Sequence, residues 1–234
     1  MSEARDEIFA QVRAAISKNL DATLESSQSR FTEAKNRIKD HPVNLVPARG
    51  RLGKKARVDL FVREAERVNA TVVRVSGLSL VPREVVKFLT NNNLPMLLKI
   101  SPETSEKRIV WNNQTLLKVS EGRADGKDFS SFSLAYAGVA ETGTLVVLSG
   151  RKSPTTLNFL PPCQICMVYA SHIVGSYEEV WARLRDSRKN DGSNVFLPRN
   201  VNWITGPSRT ADIEQTILLG AHGPQRLHVV IIDD

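Results

Sequence analysis

The stretch Thr71-Val72-Val73-Arg74-Val75-Ser76-Gly77 decides the fold class. Its β-branched run reads as a strand, and Ser76-Gly77 ends it. On the N-terminal side, Val58, Phe61, Ala65 and Val68 fall on one helical face that leads to the turn residue Asn69. On the C-terminal side, Pro82 opens another helix with Val85, Val86 and Leu89 facing inward. Asn91-Asn92-Asn93 closes that helix, and Met96-Leu97-Leu98-Lys99-Ile100 is the next strand. Helix, strand, helix and strand in alternation predict an α/β fold with an open, largely parallel sheet flanked by helices.

Working outward, residues 116–119, 132–139, 144–148, 165–169, 201–204 and 227–232 are the remaining apolar or strand-like runs. Ser176-Tyr177-Glu178-Glu179 is a capping box for a helix through Trp181 and Leu184. A further helix is expected from about Thr210 to Leu219, with Ala221-His222-Gly223-Pro224 as its stop. Ile8, Val12, Ile16 and Leu20 recur every four residues, which predicts an amphipathic helix over residues 3–20. Residues 21–48 are polar and read as a loop with room for a second short helix. The organisation expected is an N-terminal helical extension, 1–48, and an α/β domain, 49–234.

Composition narrows the function classes. The 234 residues are 41% hydrophobic and 24% charged, within globular norms. At this length the core needs neither disulfide nor metal to hold it. Two cysteines exclude a disulfide scaffold and any cluster that takes four thiolates from this chain. The net charge of +7 is moderate. The basic run Arg49-Gly50-Arg51-Leu52-Gly53-Lys54-Lys55-Ala56-Arg57 has no interleaved aromatic residue and reads as a solvated face, so no nucleic-acid partner is expected. No apolar run reaches 18 residues, and the start Met1-Ser2-Glu3-Ala4-Arg5-Asp6-Glu7 lacks the features of a signal peptide. A cytoplasmic protein without a membrane span is expected.

Two turns draw attention for chemistry. Gly138-Val139-Ala140-Glu141-Thr142-Gly143-Thr144 sets a carboxylate and two hydroxyls between apolar runs, and Gly143 suits a positive φ. Thr205-Gly206-Pro207-Ser208-Arg209-Thr210 follows a strand and opens the expected helix. Free N–H groups at a helix start and the Arg209 fork would suit an anion. Ordinary turn satisfaction explains the first turn equally simply; for the second, ordinary capping with Arg209 paired to Glu214 or Glu141 is the plain reading, but Gly206-Pro207-Ser208-Arg209 is more elaborate than capping requires. Cys163-Gln164-Ile165-Cys166 has redox or half-zinc spacing. On a strand, however, residues three apart point to opposite faces, so two small buried residues are the expected outcome. The histidines His41, His172, His222 and His228 show no metal-ligand spacing, and no metal site is expected. His172 lies just after a strand, at an edge where a ligand pocket could sit.

Three motifs carry a family resemblance. Ala140-Glu141-Thr142-Gly143-Thr144, Leu160-Pro161-Pro162, and Ile204-Thr205-Gly206-Pro207-Ser208-Arg209-Thr210-Ala211-Asp212-Ile213-Glu214 followed by Leu219-Gly220-Ala221-His222-Gly223-Pro224 resemble the lactate utilization protein C family (LutC, YkgG), whose shared unit is the LUD domain. The resemblance covers about residues 50–234. It implies a fold similar to the NagB/RpiA/CoA-transferase-like group. It also implies a role in oxidising L-lactate to pyruvate with iron–sulfur partners similar to LutA and LutB. The CxxC departs from the family pattern.

Lactate oxidation releases two electrons, which need an acceptor. This chain shows no cluster ligands and no nicotinamide or flavin fingerprint. It is therefore expected to hold no cofactor and to be inactive alone, a non-redox component beside iron–sulfur proteins. In the ligand version of that reading, Arg209 and the helix start at Thr210, with Gly206 and Ser208, bind the carboxylate of lactate or pyruvate. Glu141 or Thr142, in the turn with Gly143 and Thr144, orients the rest. Two readings stand beside it. In one, Glu141 is the catalytic nucleophile of a CoA-transferase-like acyl transfer, since its turn resembles the Glu-x-Gly turn of those enzymes. In the other, the chain is a structural subunit without a ligand. The apolar stripe of the first helix also leaves a homo-oligomer open.

Overall fold

The computed structural model describes residues 3–42, 45–107, 109–190, 197–210 and 218–234. The chain divides into two compact units, Met1–Leu45 and Val46–Asp234. The first unit is one helix, α1 (Glu3–Asp40). The helix expected over residues 3–20 therefore continues through the stretch expected to be a loop. Residues 21–40 hold no proline, and no glycine either, so nothing in their backbone stops the helix before His41, which sits at positive φ. Ile8, Val12 and Ile16 are exposed.

The second unit begins with α2 (Lys54–Arg67), β1 (Thr71–Val75), α3 (Val81–Asn91), β2 (Leu97–Ile100) and the short α4 (Pro102–Ser105). Then come β3 (Lys118–Glu121), β4 (Ser130–Leu134), β5 (Ala137–Val139), β6 (Thr144–Leu148), β7 (Cys163–Tyr169) and β8 (Ile173–Val174). The last elements are α5 (Tyr177–Asn190), β9 (Val201–Ile204), β10 (Arg209–Thr210), β11 (Leu218–Leu219) and β12 (Arg226–Ile232). Asn69 and Asn93, the turn residues after α2 and α3, adopt positive φ, which asparagine tolerates better than most side chains.

Six strands form one sheet in the order β1-β12-β7-β4-β2-β3, and every pairing in it is parallel. The open parallel α/β sheet read from the sequence is thus present. A second sheet, β8-β5-β6-β9, is mixed and was not foreseen. The apolar run 132–139 read as one segment is in fact two strands, since β4 joins the first sheet and β5 the second. Residues 201–204 likewise join the second sheet.

Strands buried on both faces explain the unbroken apolar sequences. Along β12, Val230 and Ile232 face the core under α3, which supplies Val85, Phe88 and Leu89. Leu227, Val229 and Ile231 face the opposite core, with Phe61 and Ala65 of α2 and with Leu145 and Val147 of the second sheet. Cys163 and Cys166 divide in the same way, one to each core, as the strand alternation predicts. Burial pushes their thiols up to about 11 and about 12.

His228 is the polar exception in β12. Its ring stacks on Phe88 with centroids 4.0 Å apart, and its Nδ1 shares a 2.8 Å hydrogen bond with the Thr71 hydroxyl. Burial holds its pKa down at about 4, against 6.5 for a free imidazole. The folded state therefore binds fewer protons than the unfolded state between those values. The stabilisation is complete above about pH 6.5 and is lost as pH falls toward 4, with an expected size of about 3 kcal/mol. Urea unfolding at pH 7 and pH 4.5 measures it. His228→Leu is expected to remove most of that slope, and an unchanged slope in the variant would assign it to other groups.

Candidate functional site

The first predicted turn, Glu141 to Thr144, is the β5–β6 hairpin. Gly143 has φ +65°, and a Cβ there would overlap the α2 backbone at Glu64 and Ala65, so only glycine fits. The Thr142 and Thr144 hydroxyls are 2.7 Å apart, and each lies 3.0 Å from the Tyr177 hydroxyl. Thr144 also reaches the Thr205 hydroxyl at 2.7 Å. Four hydroxyls thus satisfy one another where the two sheet-rim turns meet. Glu141 is 5% exposed, and its carboxylate accepts the Tyr177 N–H at 3.3 Å. That amide is the first of α5, so the carboxylate complements a helix N-terminus. The capping box is present: Ser176 Oγ accepts the Glu179 N–H, and Glu179 reaches back to the Gly175 N–H at 3.1 Å.

The second turn comes to the same place. Gly206 has φ +76°, and a Cβ there would overlap the Val68 carbonyl at the end of α2. The Arg209 guanidinium donates to that carbonyl at 3.0 Å. The two turns therefore converge, but their charged groups serve opposite helix ends. Glu141 caps the start of α5, and Arg209 caps the finish of α2.

The two ends of the helix expected from about Thr210 to Leu219 are strands. Arg209 and Thr210 are a strand, paired antiparallel with Leu219 and Leu218. Residues 211–217, including Asp212 and Glu214, lie outside the described residues. Ser208 is tied into the same strap: its N–H donates to Pro224 O at 2.8 Å, its carbonyl accepts the Gly220 N–H at 3.0 Å, and its hydroxyl accepts the His222 N–H at 3.2 Å. Among the described residues, the hydrogen bonds of Ser208 and the pairing of Arg209 and Thr210 with Leu219 and Leu218 engage the backbone at the start of the expected anion site.

A cavity of about 170 Å³ lies instead at the carboxyl ends of β4 and β7, where open α/β sheets place ligands. Tyr136, Tyr169, His172, Arg183, Lys107 and Glu103 line it. The Arg183 guanidinium lies 5.1 Å over the Tyr136 ring, and the Lys107 ammonium lies 5.9 Å from the Tyr169 ring. The buried Tyr136 hydroxyl has no hydrogen-bond partner among the described residues. His172 sits edge-on to Tyr169 at 5.4 Å. Burial lowers the His172 pKa, the nearby Arg183 and Lys107 charges lower it further, and Asp234 opposes them. Glu103, the one carboxylate of the lining, accepts the Ser153 hydroxyl at 2.7 Å. The result is a small cavity with two fixed cations, a neutral imidazole and an unspent hydroxyl donor.

Of these residues, the sequence pointed only to His172, by its place just after a strand. Lys107 and Arg183 lie in ordinary charged stretches, and nothing in their spacing indicates that they meet. Among the described residues, no three His, Cys, Asp or Glu side chains are grouped to hold a metal ion. No described helix is long and apolar enough to cross a membrane.

The profile of the LUD domain matches residues 130–232, a span that holds both turns and the Tyr136, Tyr169, His172 and Arg183 side of the cavity. Lactate utilization protein C of Bacillus subtilis is 32% identical over 118 residues, 50% of this chain and 46% of that one. Its counterpart in Geobacillus sp. is 33% identical over 132 residues, 53% of this chain and 54% of that one. Residues 130–232 thus match the LUD domain, and about half of the chain is similar to proteins named lactate utilization protein C. An uncharacterized protein of Neisseria meningitidis is similar to the same extent, 33% over 134 residues, 57% of this chain and 51% of that one. The matched stretches thus span about half the length of these curated relatives. The crystal structure of a DUF162 family protein from Deinococcus radiodurans superposes with a TM-score of 0.55 at 19% identity, over 77% of this chain and 99% of that one. It shows a shared fold.

Two substitutions test the turn geometry. Gly143→Ala is expected to destabilise the LUD domain by more than about 2 kcal/mol, through strain at positive φ and overlap with α2. Tyr177→Phe removes the hydroxyl shared by Thr142 and Thr144 and is expected to cost about 1–2 kcal/mol. Chemical denaturation followed by far-ultraviolet circular dichroism measures both. A neutral Gly143→Ala would contradict the close approach of the hairpin to α2.

Proposed function

We propose that this chain acts in lactate utilization as a component without a cluster of its own, and that its cation-lined cavity binds a small monocarboxylate, lactate or pyruvate. The observation that carries the reading is the presence of Arg183 and Lys107, each against a tyrosine ring, in the lining of one small cavity at the carboxyl edge of the sheet. The Arg183 fork matches the two oxygens of a carboxylate, and Lys107 adds a point charge. A cavity of about 170 Å³ suits a three-carbon acid. The names of the relatives support the metabolic assignment.

Oxidising lactate removes the hydroxyl proton, the C2 proton and two electrons, and the electrons must leave to an acceptor. The two cysteines are buried on opposite faces of one strand and cannot join in ligating a cluster. Iron–sulfur partners similar to LutA and LutB would then take the electrons, and this chain would bind or present the acid. Glu141 is less suited to an acyl-transfer role, because its carboxylate is buried against the first amide of α5.

Titration calorimetry with L-lactate and with pyruvate tests the site. Arg183→Ala is expected to weaken binding at least tenfold, roughly the 1.4 kcal/mol or more that one charge-assisted contact supplies. Arg209→Ala, whose guanidinium faces the α2 carbonyl, should bind as the wild type does. Equal affinity in the wild type and Arg183→Ala, or no affinity in either, would remove the carboxylate role.

The pH dependence has a definite sign. His172 is neutral at pH 7, and protonation below its lowered pKa adds a positive charge to the cavity. Affinity for the acid should therefore rise as pH falls below about 6.5, and His172→Gln should flatten that rise. An equally steep rise in the variant would assign the effect to another group.

A further inference from the structure

A larger cavity of about 700 Å³ is lined by Arg123, Arg151 and Arg199 together with Ser149, Thr155 and Asn200. Its described lining contains no carboxylate. Elsewhere on the domain Arg57, Arg67 and Arg74 each meet an acidic side chain. The three arginines of this bowl have no ion-pair partner among the described residues. They come from three separate segments whose backbones are pinned. Arg151 sits at the tip of a tight hairpin closed by reciprocal Gly150 and Ser153 hydrogen bonds of 3.1 and 3.2 Å. Arg199 precedes Asn200, whose N–H donates to Ser149 Oγ at 2.8 Å and whose carbonyl accepts the Ser149 N–H at 3.0 Å. Arg123 precedes Ala124, whose N–H donates to Thr156 Oγ1 at 3.1 Å. Fixed backbones that gather like charges around one concavity oppose folding slightly and favour an anion strongly.

The chemistry of the lining selects the anion. Guanidinium forks and hydroxyls match phosphate oxygens. The lining has no aromatic ring on which a base could stack, so a nucleobase gains nothing there. The spread of three cations over a wide bowl fits several adjacent phosphates better than a single carboxylate. We propose that this bowl binds an oligophosphate, the linked phosphates of a free or nucleotide-borne triphosphate. The proposal stands apart from the carboxylate reading, since the two cavities use different cations.

The test titrates the full chain with sodium tripolyphosphate at low ionic strength. One saturable site is expected, weakened about tenfold in Arg151→Ala and in Arg199→Ala and abolished when Arg123 is also replaced. Raising the salt should weaken it further. Lys54→Ala with Lys55→Ala, a loss of two exposed charges from α2, should leave it unchanged, as should Arg183→Ala. ATP should bind as tripolyphosphate does, and adenosine should not bind. Absence of saturable binding by the wild type, equal loss in the Lys54/Lys55 variant, or binding of adenosine alone would each overturn the proposal. Thermal melts of every variant confirm that the comparison is made between folded chains.

Discussion

The end of α2 is where the domain is joined. Two glycine turns, one from the β5–β6 hairpin and one after β9, press their backbones directly against its last residues, with no side chain between. That contact sets the second sheet against the first. It also brings the Thr144 and Thr205 hydroxyls within hydrogen-bond reach and leaves Val68 O for Arg209 to cap. A single methyl group at either glycine would force the layers apart. The nearby Gly138 serves a related purpose, since the Phe61 ring of α2 occupies the space a Cβ would need.

This arrangement redirects the charged groups that stand out in the sequence. An acid and a cation in adjacent turns suggest a binding site, and the turns do meet. Yet the shortest way to satisfy a buried carboxylate and a nearby guanidinium is a helix end of the right sign, and each has one at hand. The cations that line the two cavities, Lys107 and Arg183 in one and Arg123, Arg151 and Arg199 in the other, lie in segments whose sequence is unremarkable.

The legible parts of the chain were those whose signal is local. β1, β2, β6, β7 and β12 are β-branched or apolar runs that no other structure accommodates, and the turn asparagines and the Ser176 box behave as their chemistry dictates. The parts that were not legible depend on partners distant in sequence. The ends of the segment from Thr210 to Leu219 read as helix in sequence, and nothing local shows that Arg209 and Thr210 pair with Leu219 and Leu218. The apolar run through residues 132–139 gives no sign that it changes sheets at Ala135 and Tyr136. Lys107, Tyr136, His172 and Arg183 become a cavity only through the crossing of four segments. Residues 21–40 failed for a different reason: a polar helix lacks the apolar periodicity that announces one.

The placement of the two sulfurs has a chemical consequence. Cys163 looks into the core beneath α3 and Cys166 into the core beneath α2, with the thickness of a sheet between them. Neither can meet the other, a solvent-borne oxidant or a neighbour's thiol while the strand stays in place. A folded molecule of this kind keeps no record of its redox surroundings in its thiols. It could work beside electron carriers, through swings in potential, and keep one chemical form.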